Sequence, residues 1–176
     1  QMFGFALDRD LIQIDPTARI KKAAIGKDTE RDRVLNEREL IDLLKKLPAS
    51  GLVKTSQAAL MIQLATLTRI GEVLGAKWQD VDFQRRTWLL PNTKNGKAHS
   101  VWLSDFAMRQ LEGLKELTGG TPWLFPNSAL NGPINQKAVT KQVADRQREG
   151  EQLKNRTSQT EALKLSGGNW RPHDLR

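Results

Sequence analysis

Three short segments of this chain hold side chains of types that could handle a phosphate ester. They are Arg69 and Glu72 in T-L-T-R-I-G-E, Lys94 and Lys97 in T-K-N-G-K, and His173 and Arg176 in R-P-H-D-L-R. When a hydroxyl attacks a phosphodiester, negative charge builds on the non-bridging oxygens. Planar guanidiniums clamp such oxygens bidentately and stay charged at any relevant pH. A lysine can supply a proton to a leaving oxygen, and a histidine can orient groups or exchange a proton. Glu72 lies one turn after Arg69 on the same face, so it can fix that guanidinium through a charge-assisted pair. His173 and Arg176 are likewise spaced to share a helix face, and Pro172 suits the first turn of such a helix. This chemistry needs no metal or other cofactor, and the sequence offers no convincing metal cluster. Each segment alone has an ordinary explanation: a solvated arginine, an i,i+3 surface pair, a polar hairpin turn, a tetrapeptide met by chance. Their order and setting decide.

Composition narrows the partners. The formal charge is +8, from 28 Lys+Arg against 20 Asp+Glu, with a pI near 10.0. A balance this basic favours a polyanion, because each neutralised phosphate releases condensed counterions. The 176 residues, 38% hydrophobic and 27% charged, fit one soluble globular domain with part of a neighbour. No apolar run approaches the roughly 18 residues of a membrane span, and no signal-peptide pattern opens the chain. Cysteine is absent, which excludes disulfides and cysteine-based zinc sites and leads us to expect a cytoplasmic protein. Tyrosine is absent too.

The elements that must position these residues follow from pattern. Phe3, Phe5, Leu7 and Leu11 suggest the end of a helix to about Asp10, stopped by Asp15-Pro16. Residues 1–20 are expected to be the tail of an upstream domain, 21–34 a charged linker, and 35–176 the main domain. Asn36 is placed as an N-cap with Glu39 closing a capping box, ahead of a stripe of Leu40, Leu43, Leu44 and Leu47 that Pro48 to Gly51 ends. Thr55 to Thr68 is apolar on nearly every face, as in a helix buried all round, with Arg69 directly at its end. Val81 to Phe83, Thr87 to Leu90 and Ser100 to Leu103 predict a three-stranded antiparallel sheet whose second turn, Asn92 to Lys97, carries the hairpin signal Asn95-Gly96. Ser104 caps a helix with Ala107, Leu111, Leu114 and Leu117 on one face, stopped by Gly119-Gly120. A further helix starts near Asn135, and Asp145 to Gly168 is expected to be a mobile loop or an unstable helix extension. There are no internal repeats.

In this order the segments resemble the active site of the tyrosine recombinases, the phage-integrase family. T-L-T-R-I-G-E-V-L-G-A-K-W-Q-D-V-D-F is similar to the family's T-G-x-R-x-G-E…W-x-D-[IV]-D block, with Leu67 where glycine is usual, a departure that touches helix geometry more than chemistry. H-D-L-R matches its H-x-x-R, and T-K-N-G before V-W-L-S matches the loop whose lysine reaches the scissile phosphate. The resemblance covers about Arg33 to Arg176, and F-A-L-D-R-D-L-I resembles the end of a core-binding domain in integrases of temperate phages and genomic islands. It implies a mainly α catalytic domain with a small three-stranded antiparallel sheet (α+β). It implies catalytic roles for Arg69, Lys94, His173 and Arg176 with Glu72 in support. Lys97 competes with Lys94, and His99 is expected to be a strand residue outside the chemistry.

The family cuts DNA with a tyrosine C-terminal to H-x-x-R. The expectation is therefore a catalytic domain truncated before its nucleophile and unable by itself to cleave. The parent would perform site-specific DNA recombination or integration through a 3′-phosphotyrosyl intermediate, without cofactors. It would act as a homo-tetramer on double-stranded DNA, with accessory DNA-bending proteins as further partners and no membrane. The alternative is a non-catalytic DNA-binding or regulatory module that keeps the phosphate cradle, which the lack of tyrosine fits literally. A basic RNA-binding domain is disfavoured, since no aromatic RNP strand or GXXG loop is recognisable. Of the five tryptophans, Trp78, Trp88 and Trp102 are expected to pack in the core rather than stack on bases, and Trp170 is open.

Overall fold

A reciprocal cap opens the larger of the chain's two units. Asn36 accepts the Glu39 N–H through Oδ1 at 3.0 Å, and the Glu39 carboxylate accepts the Asn36 N–H at 3.2 Å, starting a helix over Glu37–Lys46. The computed structural model describes residues 2–20, 32–93 and 96–176, divided between a unit Gln1–Asp32 and a unit Arg33–Arg176.

In the first unit, helix α1 spans Met2–Leu7 and buries nothing. It ends earlier than its apolar pattern suggested because Asp10 turns left-handed (φ 53°). The Leu11 N–H then reaches the Ala6 carbonyl and the Asp10 N–H the Leu7 carbonyl, a paired termination in which aspartate stands in for glycine. The linker expected over 21–34 falls largely outside the described residues.

In the second unit, α2 is Glu37–Lys46, α3 Lys54–Thr66, α4 Ile70–Leu74, α5 Asp105–Thr118 and α6 Gln136–Asp145, with 3₁₀ turns at Leu47–Ala49, Trp78–Asp80 and Pro172–Leu175. Helix α3 is the axis. Ala59, Leu60, Met61, Ile62 and Gln63 are buried along it, and it packs on α5, on α4 and on the Pro172–Leu175 turn. Ser104 caps α5 by accepting the Ala107 N–H. That helix buries Ala107, Leu111, Leu114 and Thr118, whereas Leu117, expected on the same face, is exposed because i+4 from Leu114 falls on Thr118.

The sheet is antiparallel in the order β1 (Val81–Asp82), β2 (Thr87–Leu90), β3 (His99–Trp102). Pairing runs Val81 with Trp88, Thr87 with Trp102 and Leu90 with His99. Strand β3 lies one residue earlier than its β-prone run, so Leu103 leaves the ladder and is fully buried. Trp88 and Leu90 point into the core, and the alternation turns Leu89 outward. Trp102, expected in the core, is 66% exposed. Trp170, by contrast, is buried and donates its indole N–H to the Leu163 carbonyl at 2.9 Å.

Residues 146–171 carry no regular element, yet they are not the loose loop that their polarity suggested. Leu163 and Leu165 are buried, and the Arg146 side chain donates to the carbonyls of Ser50 (2.7 Å), Gly51 (2.6 Å) and Gln142 (3.0 Å). Three carbonyls offset a burial that works against its charge. Charge here is structural, which a polarity count reads as solvation.

Candidate phosphate-handling site

Helix α3 stops because Leu67 adopts a left-handed conformation (φ 53°, ψ 23°) and donates its N–H to the Gln63 carbonyl at 2.8 Å. The Thr66 and Thr68 hydroxyls meet at 2.8 Å across the reversal. Arg69 is thus not on a helix, as its motif suggested, but is the N-cap residue of α4 (φ −71°, ψ 141°). Glu72 holds it twice: Oε2 accepts the Arg69 backbone N–H at 2.9 Å, and Oε1 accepts the guanidinium Nη1 at 3.0 Å. The carboxylate is mostly covered (12% exposed) while the guanidinium is 38% exposed. One end of the pair is anchored and the other faces solvent.

Gly71 between them is there for space. A Cβ at that position would lie 2.9 Å from the Gln136 Oε1, so a larger residue there would make the Gln136 side chain at the start of α6 move aside.

Two open recesses adjoin this point, and Arg69 with Glu72 lines both. The first, about 780 Å³, is bounded by α4, the segment after it, β2 and Trp123, with His173 on its wall. The second, about 580 Å³, lies toward the β2–β3 hairpin and has Thr93, Lys97, His99 and Arg176 on its wall. Arg69 therefore comes together with His173 and Arg176 from two segments far apart in sequence. Lys94, with Asn95, lies outside the described residues. On either side of them, Gly96 has φ +71°, and Thr93 Oγ1 donates to the Lys97 carbonyl at 2.8 Å.

His173 and Arg176 are carried by a 3₁₀ turn, Pro172–Leu175, where an α-helical face was expected. The Asp174 N–H bonds back to the Arg171 carbonyl, an i→i−3 contact, and Asp174 Oδ2 accepts the Arg171 N–H at 2.9 Å. This geometry buries Pro172, Asp174 and Leu175 and leaves His173 and Arg176 exposed. Two glutamines fix the turn from beneath. Gln63 of α3 donates to the Pro172 carbonyl at 2.7 Å. Gln147 donates to the Trp170 carbonyl at 2.8 Å and accepts the Trp170 N–H at 2.7 Å. Sequence reasoning passed over both, although a glutamine inside the apolar run M-I-Q-L-A is itself a signal that a buried amide has a partner.

The phage integrase family model matches residues 33–176. The chain belongs to the phage integrase family. Two relatives agree with this. The prophage integrase IntA of Escherichia coli (strain K12) is 30% identical over 138 residues, covering 77% of this chain and 33% of that protein. A putative integrase/recombinase of Haemophilus influenzae is 32% identical over 133 residues, covering 70% and 42%. The chain thus spans less than half the length of either relative. Among solved structures, a lambda integrase dimer bound to a COC′ core site superposes with a TM-score of 0.60 at 18% identity, over 99% of this chain and 57% of that one. The fold is that of tyrosine-recombinase catalytic domains, mostly helical with a small three-stranded antiparallel sheet. Within this phage integrase fold, the residue that ends α3 in the left-handed conformation is Leu67.

Proposed function

We propose that this chain forms the phosphate-handling core of an enzyme that breaks and rejoins DNA in site-specific recombination. The observation that carries the reading is the placement of Arg69. Braced by Glu72, it walls two adjoining recesses, one bearing His173 and the other Arg176. Arg69 and Arg176 clamp the non-bridging oxygens of the scissile phosphate, where charge grows in the transition state. Lys94, from the β2–β3 turn, gives a proton to the leaving 5′-oxygen, and His173 exchanges a proton with the attacking hydroxyl. A tyrosine oxygen bonds to phosphorus as the P–O5′ bond breaks, giving a 3′-phosphotyrosyl link that a second 5′-hydroxyl reverses. Bond energy is conserved, so no cofactor is required. The chain has no tyrosine, so on this reading the nucleophile comes from outside these 176 residues.

Duplex DNA is the proposed substrate, supported by the basic balance of the chain and by the core-site DNA in the lambda integrase complex. A tetramer on paired sites, with accessory DNA-bending proteins, is the proposed assembly.

The test is covalent capture. The whole protein containing this chain, incubated with a nicked suicide duplex bearing its site, should yield a protein–DNA adduct on a denaturing gel. Arg69→Ala should cut the rate by on the order of 10²–10³. The 176-residue chain alone should give none, because a serine or threonine at unselected geometry lacks the proximity advantage of a positioned nucleophile. An adduct from the chain alone would overturn the tyrosine mechanism. No adduct from the whole protein, despite a tyrosine beyond H-x-x-R, would favour a non-catalytic DNA-binding module.

A further inference from the structure

Trp102 stands where an apolar ring is least expected. It is the last residue of β3 and 66% exposed, on the wall of the recess that Arg69 and Arg176 also line. Its backbone is fixed from both sides: Trp102 pairs with Thr87 across the sheet, and the Leu103 N–H donates to the Arg86 carbonyl at 2.8 Å. The ring is held as well. The Arg86 guanidinium lies 5.4 Å from its centroid, and Arg86 is itself tied to the Leu103 carbonyl at 3.3 Å and to the Asp105 carboxylate. Leu89, 44% exposed, sits diagonally across the register on the same outward face. Among the described residues, the charged lining of the recess is Arg69, Lys97 and Arg176 against Glu72 alone.

We propose that Trp102 is a stacking platform for an unpaired nucleotide of the DNA strand whose phosphate occupies the Arg69–Arg176 recess. This rests on the DNA reading given above. One observation and two general properties point the same way. A rigid indole presents a π-face at little entropic cost, the cations beside it suit a polyanionic strand, and every base offers a matching face whatever its sequence. Intact duplex keeps its bases stacked inside, so the platform acts only where strands are opened, as at a break awaiting exchange.

The experiment compares two probes at one salt concentration: a mixed-sequence duplex, and the same duplex with a short unpaired 5′ flap. The intact 176-residue chain should prefer the flap. Trp102→Ala should lower flap affinity about tenfold with duplex affinity within twofold, and Trp102→Phe should keep most of the preference. Flap binding should also quench a component of the tryptophan fluorescence that Trp102→Ala removes. Equal losses on both probes, or none on either, would overturn the platform while leaving DNA binding in place. Loss of self-association by sedimentation, with the flap preference intact, would assign the ring to contact with a second copy instead. If the wild-type chain binds neither probe, the DNA reading fails and the platform with it.

Discussion

At the scale of single residues, the site depends on one unusual backbone angle. Leu67 holds φ 53° between α3 and Arg69. A non-glycine side chain there crowds the following carbonyl, at roughly 1 kcal/mol. Its side chain is 59% exposed, so little burial offsets that strain. Leu67→Gly should therefore stabilise the fold by roughly 0.5 kcal/mol, the relief of strain outweighing the added freedom of the unfolded chain. The check is the midpoint of urea unfolding, which should rise without a change in slope. A lower midpoint would mean that the leucine side chain packs more than its exposure indicates.

At the scale of elements, the start of the larger unit is tied to the segment that leads into the H-x-x-R turn. The buried Glu39 carboxylate takes the Arg33 guanidinium at 2.5 and 2.8 Å, the Asn36 N–H, and the Gly167 N–H at 2.7 Å. A Cβ on Gly167 would lie 2.6 Å from the Glu39 Oε1, so glycine makes this approach possible. The Arg33 guanidinium, with the two backbone N–H donors, holds the Glu39 carboxyl at about 2, below its ordinary 4.5. Because the folded value is the lower one, the stabilisation is complete above the unfolded value and is lost as pH falls from about 4.5 through about 2. A shift of this size corresponds to up to about 3 kcal/mol. Urea unfolding at neutral pH and at pH near 3 should show that loss in the wild type. Glu39→Gln, less stable at neutral pH, should show a correspondingly flatter acid dependence. Equal slopes in the two proteins would remove Glu39 from the account.

At the scale of the molecule, net charge of +8 and an open basic recess predict association governed by counterion release. With about six phosphates contacted, duplex affinity should fall roughly 10³-fold between about 50 and 200 mM salt. Fluorescence anisotropy titrations at several salt concentrations measure the slope directly, and a flat response would be inconsistent with phosphate contacts. Arg69→Ala should lower affinity and reduce the slope by about one contact. The prediction belongs to this scale because no single lysine carries it.

Sequence by itself determined the local rules: the Asn36–Glu39 capping box, the Ser104 cap, the period change into three short strands, and the Arg69–Glu72 spacing that yields an ion pair. Each depends on neighbours within a few residues, where propensity and hydrogen-bond reach act unaided. The family was legible for the same reason, since ordered motifs survive in the linear chain. Tertiary structure decided what pairs at a distance. That Gln63 and Gln147 hold the His173 turn, that the polar run after Asp145 folds onto buried leucines and carbonyls, and that Arg69 walls two recesses follow from contacts between segments distant in sequence, such as Gln63 with Pro172 and Arg146 with Ser50. Trp102 shows the limit most plainly. A strand pattern tells which residues alternate, but which face meets the core is set by what lies on either side of the sheet.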